Sequence, residues 1–514
     1  MSSPPAVPES VFVRGPVWPL FAGVGLALAL GSFEGAGVQA IFPYVGGGLA
    51  TSSDHALWTL TYFVVHWSLG IALMPWSVRR FGERRVFQGA VVLAAVGTLL
   101  AALTHGLGVM LIARAAEGLG AGLLVPLSQS VFLRATPKAR HGLVTVLWSN
   151  AMLLPFFVGP GIGGWLAVHW GFRFVFWVAL GPWLVALGLG SHGLRAARGP
   201  DPATPPFDTA GFVLLYAGLM ALQVVLDQGE QHGWWGSPFI REFALFAALF
   251  LGLFALRERG TAHPLLQFQY LRRRNYVLGL LLLSLGWALF MGWASILPLW
   301  AEEDLGYNGL WGGLLLVPVG LGALPLSIVL DRLRGLVGLR RLSALSFLLF
   351  AGAYGTLSLH THSAMAALFR PLVMLGVGVG ILFVPLTLII MSEISAGAIA
   401  AAATTANFIR VFSANIGVTA LSVYWSRGSA RATVALSGEL SRYAQAPVIH
   451  GAALADYLGV EAHTVSLDNL LRLSMWLCLG AALLAWFFLI PPRSLVPTPV
   501  SGRVEEAELE AGGP

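Results

Sequence analysis

Apolar stretches long enough to cross a bilayer recur through nearly the whole chain, from Val17 to Leu489, and short arginine-rich turns separate them. No other feature constrains the fold as strongly. Hydrocarbon offers no water to backbone N–H and C=O groups, so a spanning stretch must satisfy them internally, as α-helix. The pattern predicts an all-α polytopic membrane protein. Composition agrees, with 57% hydrophobic and 11% charged residues, against about 25% charged in a soluble domain. The longest segment outside the spans, Ser426 to Asp468, is roughly 40 residues, too short for a sizeable water-soluble core.

About fourteen spans can be read: 17–42, 58–76, 86–104, 108–131, 142–168, 174–191, 209–227, 239–256, 276–299, 310–330, 342–360, 365–391, 397–425 and 469–490. The net charge of +6 comes mostly from arginines beside apolar runs. That placement reads as topology control, and nucleic acid is not an expected partner. With the N-terminus inside, inner segments hold about 21 of the 30 basic residues and outer segments about five. Both termini are therefore expected in the cytoplasm. The first nine residues carry no basic residue and the first apolar run is too long for a signal-peptide core, so it reads as an uncleaved signal anchor. Cys478 is the only cysteine. It excludes an internal disulfide, a CxxC redox pair and a zinc cluster, and no metal or cofactor is expected.

A faint internal repeat divides the chain. Leu57-Trp58 opens the second span, which ends in Arg79-Arg80; Leu310-Trp311 opens the tenth, which ends in Asp331-Arg332. Two repeats around a central cavity are a common transporter design. The expected organisation is a tail 1–16, a six-helix bundle 17–191 and a Pro-rich linker 192–208. Two extra helices 209–256, a loop 257–275 and a second six-helix bundle 276–490 follow, with an outer loop 426–468 and a tail 491–514.

Function should lie in the few polar residues that interrupt the spans. Glu34 lies inside the first. Burial disfavours the charged form of any carboxyl, so an intramembrane glutamate is a candidate for loading and releasing a proton. The alternative is a purely structural glutamate. Arg114 and Glu117 share one face of the fourth span. Either they join Glu34 in a charge cluster, where protonation of Glu34 releases Arg114, or they form a local pair. Gly159-Pro160 and Gly163-Gly164 in the fifth span allow close helix contact and a bend. His66, Asp227, Asn407 and Arg410 are further candidates for substrate contact or relay, with aromatic packing the plainer role for His66.

These residues resemble motifs of the major facilitator superfamily, in particular its fourteen-span drug:proton antiporters of the EmrB/QacA type. Phe33-Glu34 followed by Pro43 resembles the first-span motif LDxTIVNVALP, with Glu for Asp. Arg114 through Gly120 is similar to RxxQGxG, with Glu117 for Gln. Gly159 through Gly164 resembles the GPxxGG end of the antiporter signature, although Pro155 stands at its first glycine. Leu222 through Gly229, containing Asp227, resembles LQxxLDxG. The loop after the second span departs from GxLaDRxGRR: Pro75 replaces the glycine and Arg79 the aspartate, while Arg80 and Gly82 survive. Asp331-Arg332 keep the acidic residue in the second half, and Glu83 lies four residues from the missing charge.

The resemblance implies a major facilitator fold of two six-helix bundles plus two extra helices. The implied activity is proton-coupled efflux of lipophilic small molecules by alternating access across the cytoplasmic membrane. It implies Glu34, Arg114 and Glu117 as the proton-coupling group, helix packing at Gly159, Pro160, Gly163 and Gly164, and gating at Arg79, Arg80, Gly82, Asp331 and Arg332. A periplasmic adaptor protein is an implied partner beside substrate, protons and lipid. An uptake permease or symporter of the same fold is the first rival, and an uncoupled membrane scaffold the second. No nucleophile–base pair, HExxH or Walker motif supports an enzyme or an ATP-driven pump.

Overall fold

The structure, a computed structural model, describes residues 18–137, 140–360, 364–395, 398–443 and 452–490. The expected tails 1–16 and 491–514 lie outside the described residues, as do the side chains of Asp331 and Arg332. The described residues form helices and turns and no strand. In order they are α1 (Trp18–Gly37), α2 (Phe42–Gly48), α3 (Ser53–Phe81), α4 (Glu83–Leu103), α5 (Leu107–Arg134), α6 (His141–Trp170), α7 (Arg173–Gly193), α8 (Thr209–Gln228), α9 (Pro238–Gly260), α10 (Arg274–Glu303), α11 (Gly309–Leu314), α12 (Val317–Val337), α13 (Leu339–Thr356), α14 (Met365–Met391), α15 (Ile399–Tyr443) and α16 (Ala452–Phe488). Thirteen segments among the described residues are long and apolar enough to cross a membrane. Each overlaps an expected span. The eleventh, α13, misses that standard because Arg340 and Arg341 open it.

Local chemistry sets the helix ends. Ser52 caps α3 by accepting a hydrogen bond from the His55 N–H at 3.2 Å, and Asn308 caps α11 by accepting from the Trp311 N–H at the same distance. Gly82 and Gly338 end one helix and begin the next at φ +81° and +85°, a conformation that side-chain-bearing residues rarely adopt. The caps at Ser52 and Asn308 are thus of the same kind, as are the turns at Gly82 and Gly338. At Gly82 an added methyl would also meet the Arg198 carbonyl oxygen at 3.0 Å. Gly82→Ala is therefore expected to cost about 1–3 kcal/mol, read as a lower unfolding temperature in detergent.

Helix packing falls into two groups. In the first, α1 packs on α5, α6 and α7, α5 on α3 and α4, and α4 on α7. In the second, α10 packs on α14 and α15, α14 on α12 and α13, and α16 on α13 and α15. The groups meet where α6 touches α11 and α12 and where α3 touches α15. Helices α8 and α9 pair with each other, and α8 leans on α3 through Val65, Leu69, Leu215 and Leu219. Arg257 at the end of α9 pairs with Asp208 at the start of α8, at 2.7 Å.

The stretch expected as an outer loop, 426–468, is largely helical: α15 runs on to Tyr443 and α16 begins at Ala452. At 1.5 Å per residue α15 reaches roughly 68 Å, well beyond a hydrocarbon core of about 30 Å.

Candidate functional site

The fold surrounds Glu34 with the interior of the first helix group. Its side chain is fully buried. Oε1 accepts two hydrogen bonds, from Thr98 Oγ1 of α4 at 2.6 Å and from Trp183 Nε1 of α7 at 2.9 Å. Oε2 has no partner. Both donors are neutral, so the carboxyl is fixed in position without being locked into an ion pair.

Arg114 of α5 lies alongside and is buried just as completely. Its Nη2 donates to the main-chain carbonyl of Glu34 at 2.9 Å, its Nε to the Thr59 carbonyl of α3 at 3.1 Å, and its Nη1 to Glu117. The guanidinium carbon sits 4.5 Å from the centre of the Phe63 ring. The structure thus brings Glu34, Arg114 and Glu117 together. It joins Arg114 to the backbone of Glu34 and to the carboxylate of Glu117. Pairing satisfies a buried charge that would otherwise be costly.

Sequence reasoning missed Thr98, Trp183, Thr59 and Phe63. One signal was available: Thr98 is the only hydroxyl in α4. Nothing marks Trp183 among eighteen tryptophans.

Just beyond Glu34, α1 meets the glycine run of α6. A Cβ on Gly163 would strike the main chain of Gly37, and one on Gly164 the main chain of Gly309 in α11. Conversely, a Cβ on Gly313 would strike the main chain of Pro160. Gly159 lies against Phe33, and Gly309 N–H donates to the Tyr44 hydroxyl at 3.1 Å. The run therefore lets α6 touch α1 and α11 at once, closing the two helix groups against each other at the Tyr44 end of the molecule.

At the opposite end, Arg79 lies 3.7 Å from Asp201 of the linker, and the Trp76 indole donates to the Pro205 carbonyl at 3.1 Å. Arg80 is exposed. Glu83 is buried and pairs with Arg134 at the end of α5. The linker thus straps the α3–α4 turn.

A second buried polar network joins α3, α8 and α15. Asp227 accepts from Gln223 Nε2 at 2.8 Å and from Thr61 Oγ1 at 3.0 Å. Asn415 donates to Gln223 Oε1 at 3.1 Å and to the Thr61 carbonyl at 3.3 Å. His66 is not part of it; its Nδ1 bonds the Tyr62 carbonyl at 2.8 Å and its ring packs between Tyr62 and Tyr216. Arg410 and Asn407 form a separate pair, with Nη2 donating to Asn407 Oδ1 at 3.3 Å.

Buried charges on long apolar helices, gathered beside a seam between two helix groups, define a membrane carrier that moves small molecules across a bilayer. The chain belongs to the Major Facilitator Superfamily, whose pattern matches residues 24–418. It is 29% identical over 408 residues to the fatty acid resistance protein FarB of Neisseria gonorrhoeae, covering 79% of this chain and 80% of that one. It is 28% identical over 411 residues to the multidrug export protein EmrB of Escherichia coli strain K12, covering 78% and 79%. A crystal structure of a peptide transporter, POT, in complex with sulfate shares the fold, with a TM-score of 0.62 at 16% identity over 94% of this chain and 98% of the other. The multi-pass, non-enzymatic character expected from the sequence agrees with membership of a transporter family.

Proposed function

We propose that this chain is a proton-coupled exporter of lipophilic small molecules, working by alternating access across the cytoplasmic membrane of a bacterium. The observation that carries the reading is Glu34: a fully buried carboxyl held by two neutral donors through Oε1, with Oε2 left without a partner. A proton can settle on Oε2 without breaking either bond. The second support is similarity to relatives named for multidrug export and fatty acid resistance.

In this reading the architecture is two six-helix bundles, with α8 and α9 inserted between them and fourteen crossings in all. Both termini face the cytoplasm, a placement the arginine bias supports. The Tyr44 end is then the outer face. A proton arriving there loads Glu34, Arg114 and Glu117 tune the step, and the glycine seam of α6 opens and reseals. The turn at Gly82, with Arg79, Arg80 and the matching Asp331-Arg332, gates the inner face. Asp227 and its partners link α8 to both bundles. The outer ends of α15 and α16 are where a periplasmic adaptor would meet the chain.

The test is proton release from the purified protein in weakly buffered solution on adding lipophilic cations, anions and neutral compounds. Release on ligand binding is the expected result, because substrate and proton compete. Binding without any release would remove the coupling. Direction is tested separately: inverted vesicles energised by a proton gradient should accumulate the ligand, and depletion instead would make the chain an uptake carrier.

A further inference from the structure

Arg410 is a buried charge that the coupling scheme leaves unused. It lies within the apolar part of α15, with 6% of its surface exposed. A guanidinium offers five N–H donors in a planar fork. Arg114 shows how this chain satisfies such a group when its role is internal: two main-chain carbonyls and a carboxylate. Arg410 has instead a single side-chain bond, to Asn407 at 3.3 Å, and its Nη1 has no partner. Among the described residues no carboxylate pairs with it.

What surrounds it is aromatic. The guanidinium carbon lies 5.2 Å from the ring centre of Trp287 in α10 and 5.3 Å from that of Phe383 in α14. Cation–π contact offsets part of the desolvation cost but leaves the N–H edge unbonded. The wall continues across the seam between the helix groups, where Phe156 of α6 lies 5.9 Å from Trp287. An unpaired cation, an N–H edge without an acceptor at Nη1 and an apolar wall shared by both groups are complementary to one kind of molecule.

We propose that Arg410 is the head-group site for a lipophilic monocarboxylate, with the carboxylate on Nη1 and the apolar body along Trp287, Phe383 and Phe156. A single negative charge neutralises the single charge of this guanidinium. The planar fork fits a carboxylate in a bidentate way that an ammonium does not offer. Asn407 holds the guanidinium in line. The proposal rests on the exporter reading and names the class of molecule the exporter carries.

The experiment is equilibrium binding of radiolabelled dodecanoate to the purified full-length protein, with 1-dodecanol as the uncharged counterpart. The wild type should bind dodecanoate at least about tenfold more tightly than 1-dodecanol. Arg410→Gln should weaken dodecanoate roughly 10–100-fold while leaving 1-dodecanol little changed. Arg410→Lys, which keeps the charge and loses the fork, should fall between them. Equal wild-type affinity for the two compounds overturns the proposal and needs no variant. So does undiminished dodecanoate binding by an Arg410→Gln protein of unchanged melting temperature. Neither readout uses a proton gradient, so failure here leaves coupling at Glu34 standing, and loss of coupling at Glu34 leaves this site standing.

Discussion

Glu34→Gln is expected to abolish uphill transport driven by a pH gradient while leaving the protein folded. The geometry explains both halves of that result. Glutamine keeps a carbonyl oxygen where Oε1 accepts from Thr98 and Trp183, so both hydrogen bonds survive. Its amide nitrogen takes the place of Oε2, which has no partner to lose. The amide donors find no acceptor there, which costs about 1–3 kcal/mol, offset in part because the substitution removes a buried carboxyl that can ionise. The variant is fixed as a mimic of the protonated carboxyl and can no longer exchange the proton. Vesicles carrying it should show accumulation no greater than vesicles without the protein, while exchange of substrate down its own gradient continues. A Glu34→Gln carrier that still pumps uphill would take Glu34 out of the mechanism and move attention to Glu117 or Asp227.

The second large effect is expected at the glycine seam. Gly164→Ala places a methyl against the main chain of Gly309 and within 2.7 Å of the Leu310 nitrogen. Neither is a flexible side-chain tip, so α6 and α11 must separate. Overpacking of this kind costs about 1–3 kcal/mol, which lowers the ratio of sealed to open states at the Tyr44 end by roughly 5–150-fold. The chain's single cysteine, Cys478, is buried and can be replaced by serine. A cysteine introduced at Ala40, which is 1% exposed, then reports on the seam. Gly164→Ala should increase its labelling by a membrane-impermeant maleimide and slow transport in parallel. Unchanged labelling would mean that the seam gives way elsewhere.

How much of this was legible in the sequence depends on the range of the interaction. Span positions are written in local composition, because the bilayer fixes how long an apolar run must be. The helices accordingly fall where the apolar runs do. The faint repeat is read from Trp58 and Trp311, and caps of one kind stand ahead of both, at Ser52 and Asn308. The partners of the buried charges were not legible. Which hydroxyl reaches Glu34 depends on how α1, α4 and α7 rotate against one another, and no single helix encodes that. Proximity in sequence also misleads. Asn415 is five residues from Arg410, which turns it about 140° around the helix, and it bonds across to α3 and α8 instead. Asn407, three residues away, shares its face. At the α3–α4 turn, the sequence showed an aspartate replaced by Arg79; it could not show that the linker would supply Asp201 to meet it.

Glu34 and Gly37 belong to the same uninterrupted helix, less than one turn apart. In the proposed mechanism the group that senses the proton and the surface that seals against Gly163 are thus separated by about 4.5 Å of axial rise. No relay through distant residues is needed, since any tilt or shift of α1 is felt at both points. Thermodynamic linkage then imposes a symmetry on the cycle. Whatever factor protonation of Glu34 applies to the equilibrium of the seam, sealing the seam must apply to the proton affinity of Glu34. A compound or mutation that wedges the seam apart should therefore be detectable as a proton taken up or given off, even if it never touches the carboxyl.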